Sequence, residues 1–156
     1  MFLSNFLSNI TLSRANAFIW DSKIKNLKII SHFRCLDLDL LIGIERQKKT
    51  IYKNTINFAE GNFTNNALLW GSRGNGKSSL IKSVFYEINK KNKNLKLIQL
   101  NKNNIFDIEV IYEKYANLKN YNFIIFIDDL SFEKIDSDYK IIKSTLDGSI
   151  QNQPKN

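Results

Sequence analysis

The feature that most constrains this chain is an eight-residue segment, Gly71-Ser-Arg-Gly-Asn-Gly-Lys-Ser78, which matches G-x-x-x-x-G-K-[ST] at every fixed position. The apolar run Ala67–Trp70 precedes it, and apolar residues at helical spacing follow it. This context predicts a strand, a tight glycine-rich turn and a helix in succession. We therefore expect the chain to fold as an α/β protein around this strand–turn–helix unit.

The residue types of this loop are those that phosphate binding requires. Its glycines give the backbone conformations closed to other residues, so that consecutive N–H groups can converge on a phosphate. The helix that begins near Lys77 adds the positive end of its dipole. We expect Lys77 to bridge the β- and γ-phosphates, the Ser78 hydroxyl to coordinate Mg²⁺, and Ser79 to contact the α-phosphate. The predicted phosphate-binding residues are Gly71, Ser72, Arg73, Gly74, Asn75, Gly76, Lys77, Ser78 and Ser79. The alternative is a glycine-rich turn that binds nothing.

A second candidate element is the pair Asp128-Asp129, which directly follows the apolar run Phe123–Ile127. Ligands bind at the carboxyl ends of parallel strands, and two carboxylates at the end of a buried strand are costly unless a cation compensates them. Asp128 is therefore predicted to hold Mg²⁺, directly or through water, and Asp129 to orient and polarise the attacking water. Glu133 is the alternative base. In the alternative interpretation Asp129 only caps the next turn, and Asp128 is the one functional carboxylate of the pair.

Strand patterns alternate with helix patterns, which predicts a parallel sheet covered by helices on both faces. Residues 1–40 are predicted to be an N-terminal helical extension, with Ala17 and Phe18 at helical spacing and a short strand at Leu27–Ile30. Residues 41–156 are predicted to be the nucleotide-binding core. Its predicted elements are a helix from Ile44 to near Gly61, strand Ala67–Trp70, a helix through Leu80–Ile88, strand Leu95–Leu100, a helix near Ile105–Ala116, strand Phe123–Ile127 and a helix from about Tyr139, capped by Ser137, to Gly148.

Composition limits the classes of partner. The 23 Lys and Arg against 15 Asp and Glu give a formal net charge of +8, which is compatible with a nucleic-acid partner. An A/T-rich genome would produce the same excess of lysine, and the lysine runs at 23–28 and 90–96 are predicted to be solvated surface. No apolar run approaches the roughly 20 residues that cross a bilayer. One cysteine and one histidine leave no internal disulfide and no metal cluster of these residues. We expect a cytoplasmic protein that does not associate with membranes.

Taken together, these motifs resemble those of an uncharacterised bacterial family of AAA+ ATPases. The resemblance runs from about residue 17 to the end of the chain. It rests on the segments LIGIERQK from Leu41, NALLWGSRGNGKSS from Asn66 and DDLSFE from Asp128. It implies an AAA+ P-loop fold, ATP and Mg²⁺ as ligands, ATP hydrolysis coupled to remodelling or loading of a macromolecule, and a homo-oligomer at full length.

The resemblance also implies that Leu41, Ile42 and Gly43 lie against the adenine, with ordinary core packing as the alternative. AAA+ modules continue into a strand that ends in a polar sensor residue, an arginine finger and a helical lid, and this sequence reaches Asn156 before any of them. We therefore expect an AAA+ core that is incomplete at its C-terminus. We also expect slow hydrolysis by this chain alone, because an arginine finger is worth roughly 10³–10⁵ in rate.

Two other functions are compatible with the same motifs. One is a P-loop small-molecule kinase, and the other is a nucleotide-binding fragment without catalysis. In an AAA+ sheet, a further strand separates the phosphate-loop strand from the strand that ends in Asp128, whereas in the kinase the two strands are neighbours. Strand order therefore distinguishes the AAA+ ATPase from the small-molecule kinase. A measurement of ATP turnover distinguishes both enzymes from a fragment without catalysis.

Overall fold

The computed structural model describes residues 11–130, so predictions for residues 1–10 or 131–156, including Glu133 and the helix from Tyr139, lie outside the described residues. The described strands form one mixed sheet in the order β2-β1-β3-β4, in which β1, β3 and β4 are parallel and β2 is antiparallel to β1. The strands are β1 (Ala17–Asp21), β2 (Asn26–Ile29), β3 (Leu95–Leu100) and β4 (Asn122–Ile127). The helices are α1 (Glu45–Ala59), α2 (Lys77–Lys91) and α3 (Ile108–Tyr115), with 3-10 helices at Leu38–Leu40 and Lys102–Asp107. The fold class is therefore α/β.

Two apolar clusters hold the helices against the sheet. In the first, Phe18 of β1 and Ile98 of β3 pack with Ile111 of α3. In the second, Leu97 of β3 packs with apolar residues of α1 and α2, including the buried Leu80. Since successive side chains of a strand point to opposite faces, α3 covers one face while α1 and α2 cover the other. None of the helices within residues 11–130 has the length and apolar character of a bilayer span.

The structure corrects the prediction of helical spacing at Ala17 and Phe18. Both residues lie in β1, between β2 and β3, and Phe18 is fully buried. Phe18 pairs with Ile98, eighty positions further along the chain, so the partner that makes this segment a strand is invisible to local periodicity. The predicted strand Leu27–Ile30 is confirmed as β2, one residue earlier. The division at residue 40 stays a prediction, and residues on both sides of it contribute strands to the one sheet.

The predicted strand Ala67–Trp70 is wrong. Residues 67–70 form no strand, and the exposed fractions of Leu68 and Trp70 are 55% and 89%. A strand needs a neighbour to pair its N–H and C=O groups, and no strand of the described sheet pairs with this segment. The other strands and helices predicted between Ile44 and Ile127 are confirmed, except that residues 105–107 of the predicted helix Ile105–Ala116 belong to the 3-10 helix Lys102–Asp107 and the α-helix begins at Ile108.

One lysine of the run 90–96 is buried, contrary to the predicted solvated surface. Lys96 of β3 is 3% exposed, and its ammonium group donates to Asn16 Oδ1 at 2.7 Å and to the Ala15 carbonyl at 3.0 Å. The same ammonium lies 5.2 Å from the centre of the Tyr121 ring. Burial disfavours the charged form and, together with the charge of Lys93, lowers the pKa of Lys96 to about 8.

We predict that Lys96 makes the free energy of unfolding rise with pH between about 8 and 10. In that range the unfolded chain keeps the Lys96 proton and the folded chain loses it, so raising the pH favours the folded state. The wild type should gain at most about 1.4 kcal/mol per pH unit over Lys96→Met, which has no titrating group there. Chemical denaturation of both proteins across this range measures the difference. A difference that stays constant with pH would contradict the lowered pKa.

Candidate phosphate and magnesium site

The glycine-rich loop leads directly into α2 and is exposed to solvent over residues 71–75. Gly74 and Gly76 have φ values of +87° and +73°, in the left-handed region that favours glycine. Gly76 is the N-cap of α2, and its carbonyl accepts the first helical hydrogen bond from the Leu80 N–H at 2.8 Å. The first N–H groups of a helix have no acceptor within it. The loop therefore ends at a set of donors suited to an anion.

Lys77, the first residue of α2, is folded back over its own loop. Its Nζ donates to the Gly71 carbonyl at 2.9 Å and to the Ser72 carbonyl at 2.7 Å. Hydrogen bonds between an ammonium and a phosphate are stronger than those to a neutral carbonyl. The side chain is thus held at the loop by bonds that an incoming phosphate could replace.

The two predicted magnesium ligands are in contact. Ser78 Oγ donates to Asp128 Oδ1 at 2.5 Å, which joins the first turn of α2 to the residue that follows β4. Mg²⁺ prefers oxygen ligands and is usually bound by one or two protein groups together with waters and substrate phosphates. Within residues 11–130 no cluster of three or more His, Cys, Asp or Glu side chains could hold a metal. Because a hydroxyl and a carboxylate oxygen meet at this point, the Ser78–Asp128 pair is the candidate magnesium centre.

Asp129, the predicted base, projects into solvent with a side chain that is 76% exposed. Its φ of +55° is unusual for a residue with a side chain, although Asp tolerates it better than most. Its backbone N–H donates to Asp128 Oδ1 at 2.9 Å, and its carboxylate lies 3.6 Å from Lys102 Nζ. Lys102 is not among the site residues predicted from the sequence. The sequence feature that could have identified Lys102 is its position two residues after the predicted strand Leu95–Leu100, which ends at the same edge of the sheet as β4.

The three residues predicted to lie against the adenine differ in their surroundings. Leu41 is 7% exposed and belongs to the same apolar cluster as Leu80, so the alternative of core packing applies to it. Leu41 also lies beside the loop. Its Cδ2 is 3.9 Å from the point that a Cβ atom would occupy if residue 76 had a side chain. Ile42 is 86% exposed, and Gly43 has a φ of +82°. Contact of these residues with a base stays a prediction.

Comparison with known proteins places the chain in a family. Neither a curated protein nor a solved structure matches it. The sequence profile described as "Protein of unknown function (DUF815)" matches residues 13–156. The match includes the glycine-rich loop, all four strands of the sheet and the two carboxylates that follow β4. Since the matched residues make up far more than half of the sequence, the chain belongs to this family, DUF815.

Proposed function

We propose that the chain is a P-loop ATPase of the AAA+ type, which binds Mg²⁺-ATP at the glycine-rich loop and hydrolyses it. The observation that carries the proposal is the 2.5 Å contact between Ser78 Oγ and Asp128 Oδ1. The sequence assigns both residues to the metal, Ser78 by the loop motif and Asp128 by its position directly after an apolar strand, and they lie 50 positions apart. Their meeting at the point where the phosphate loop enters α2 supports a shared role in magnesium and phosphate binding.

Each residue of the site has a role that follows from its chemistry. The loop N–H groups and the start of α2 bind phosphate oxygens, and the Lys77 ammonium exchanges its bonds to the Gly71 and Ser72 carbonyls for bonds to the β- and γ-phosphates. Ser78 and Asp128 hold Mg²⁺, which neutralises charge on the phosphoryl oxygens when bound. Asp129 orients and polarises the attacking water.

The described strand order shows neither the kinase arrangement nor the AAA+ arrangement, because residues 67–70 lie outside the sheet. The kinase alternative requires the segment before the loop to pair directly with the strand that ends in Asp128. In the described sheet β4 pairs with β3, and residues 67–70 pair with neither. The coupling of hydrolysis to remodelling or loading of a macromolecule, and a homo-oligomer at full length, are proposed from the AAA+ resemblance. A nucleic-acid client has weaker support, from the formal charge of +8.

We predict that Lys77→Ala weakens ATP binding by at least about tenfold, because a hydrogen bond to a charged group contributes roughly 1.5–3 kcal/mol. The matched control is Lys91→Ala, which removes the same charge from an exposed position about 21 Å further along α2. Isothermal titration calorimetry with Mg²⁺-ATP measures both variants. Equal affinities for wild type, Lys77→Ala and Lys91→Ala would refute the phosphate-loop assignment.

We predict that Asp128→Asn and Asp129→Asn have different effects, although each removes one carboxylate. Asp128→Asn should weaken magnesium-dependent ATP binding by about 10–100-fold, because the amide is a poorer partner for the metal. Asp129→Asn should leave binding near the wild-type value and remove turnover in a hydrolysis-competent form of the protein. Calorimetry with and without Mg²⁺, followed by phosphate-release assays, separates the two effects. If Glu133→Gln abolishes turnover and Asp129→Asn does not, Glu133 is the base.

A further inference from the structure

An open cleft lies beside the glycine-rich loop and continues along α2 beyond Ser78 and Ser79, the last residues predicted to bind phosphate or metal. Its volume is about 620 Å³, within the range of roughly 300–1,000 Å³ that small-molecule sites occupy. One wall is the segment 33–37. The other wall is one face of α2, formed by Ser78, Ser79, Lys82 and Tyr86. Residues four apart on a helix share a face, so the cleft follows α2 away from the loop for about 12 Å between Ser78 and Tyr86.

The wall formed by segment 33–37 is fixed to α2 by two contacts. The buried Ser83 hydroxyl donates to the Leu36 carbonyl at 2.6 Å. The ring of Phe33 packs edge-on against the buried ring of Phe85, with 5.5 Å between the ring centres. Both anchoring residues of α2 belong to the helix face next to the cleft. The cleft is therefore formed before any ligand binds.

We propose that this cleft binds the base and ribose of the nucleotide, a proposal that rests on the proposed function of the loop. Ser78 and Ser79 belong both to the loop and to the cleft wall, so a ligand whose phosphates occupy the loop is led directly into the cleft. Further along, the Tyr86 ring is 45% exposed, and the Lys90 ammonium lies over it at 5.1 Å from its centre, so that the opposite face would be the stacking surface for a base. The Asp37 carboxylate makes no capping hydrogen bond with its own 3-10 helix and can accept from ribose hydroxyls or a base amino group.

The cleft is a different position for the base from Leu41–Gly43, which the AAA+ resemblance implies. The Leu41 side chain is largely withdrawn into the apolar core, the Ile42 side chain is 86% exposed, and neither residue lines the cleft. The cleft instead combines aromatic, cationic and carboxylate groups around one opening, which is the combination that nucleoside recognition uses.

Cys35 provides a direct test because it lines the cleft and is the chain's single cysteine. The rate at which a maleimide modifies it therefore reports on one position. At about ten times the Kd, a ligand that covers Cys35 should slow the modification roughly tenfold, since only the free protein reacts. We expect this protection from Mg²⁺-ATP. We expect none from Mg²⁺-tripolyphosphate, which can fill the loop but carries no nucleoside. Because burial raises the pKa of the Cys35 thiol, all rates are compared at one pH.

The outcomes separate this proposal from the proposed function. If calorimetry shows ATP binding that depends on Lys77 while Cys35 reacts at its unprotected rate, the cleft proposal is overturned and the loop assignment stands. Equal protection by tripolyphosphate also overturns it, because the phosphates alone would then account for the effect. If ATP does not bind, both proposals fail.

A variant gives an independent readout. Tyr86→Ala should weaken ATP binding about tenfold, since stacking of a base on an aromatic ring contributes on that order, and should leave tripolyphosphate binding unchanged. Phe63→Ala, which removes a 90% exposed ring outside the cleft, should change neither affinity. Equal losses of ATP and tripolyphosphate binding in Tyr86→Ala would show that Tyr86 acts through the fold. If Ile42→Ala weakens ATP binding and Tyr86→Ala leaves it unchanged, the base lies at Leu41–Gly43 instead.

Discussion

The hydrogen bond between Ser78 and Asp128 joins the glycine-rich loop, at the start of α2, to the end of β4 in the sheet. In most α/β nucleotide-binding folds a strand leads into the loop and fixes it directly, but here residues 67–70 pair with none of the described strands. Among the described residues, the loop is held by the packing of α2 on the sheet and by this side-chain contact at the first turn of α2. Leu69, two residues before the loop, also packs against the apolar cluster that α2 shares with the sheet.

The sheet determines the position of Asp128 in the contact with Ser78. β3 and β4 pair in parallel over six residue pairs, from Leu95 opposite Asn122 to Leu100 opposite Ile127. This register ends both strands at one edge, which places Asp128 and Asp129 next to the segment that follows β3. The ion pair between Asp129 and Lys102 is a consequence of that shared edge. α2 packs Leu80 and Val84 into the same cluster as Phe126 of β4, so its first turn is brought to the end of that strand.

Local sequence patterns predicted the elements whose signals are local. β4 contains an apolar run of strand length, four of the six residues of β3 are Leu or Ile, and α1 and α2 have apolar residues at helical spacing, so all four were predicted correctly. The strand β1 was not, because Phe18 becomes a strand residue through pairing with Ile98, far along the chain. Residues 67–70 have a strand-like composition, yet a strand also requires a hydrogen-bonding neighbour, which composition cannot reveal.

At the candidate site, too, features with a local sequence signal could be predicted and features that depend on distant contacts could not. The meeting of Ser78 and Asp128 could be predicted because the loop motif assigns Ser78 to a magnesium ion and the position of Asp128 after an apolar strand assigns it to the same ion. The cleft beside Tyr86 could not, because its far wall is positioned by tertiary contacts such as the bond from Ser83 to the Leu36 carbonyl. Likewise, the burial of Lys96 depends on the Ala15 carbonyl and the Asn16 side chain, about eighty residues away, and a run of lysines gives no sign of it.

The most direct test of the account is a double-mutant cycle on magnesium-dependent ATP affinity, with Ser78→Ala, Asp128→Asn and both together. If the two side chains hold one ion, each single change weakens Mg²⁺-ATP binding, and the double variant loses much less than the two losses added together. With Mg²⁺ removed, the three variants should bind ATP alike. Losses that add fully, or an affinity that none of the three variants changes, would contradict a shared magnesium site at Ser78 and Asp128.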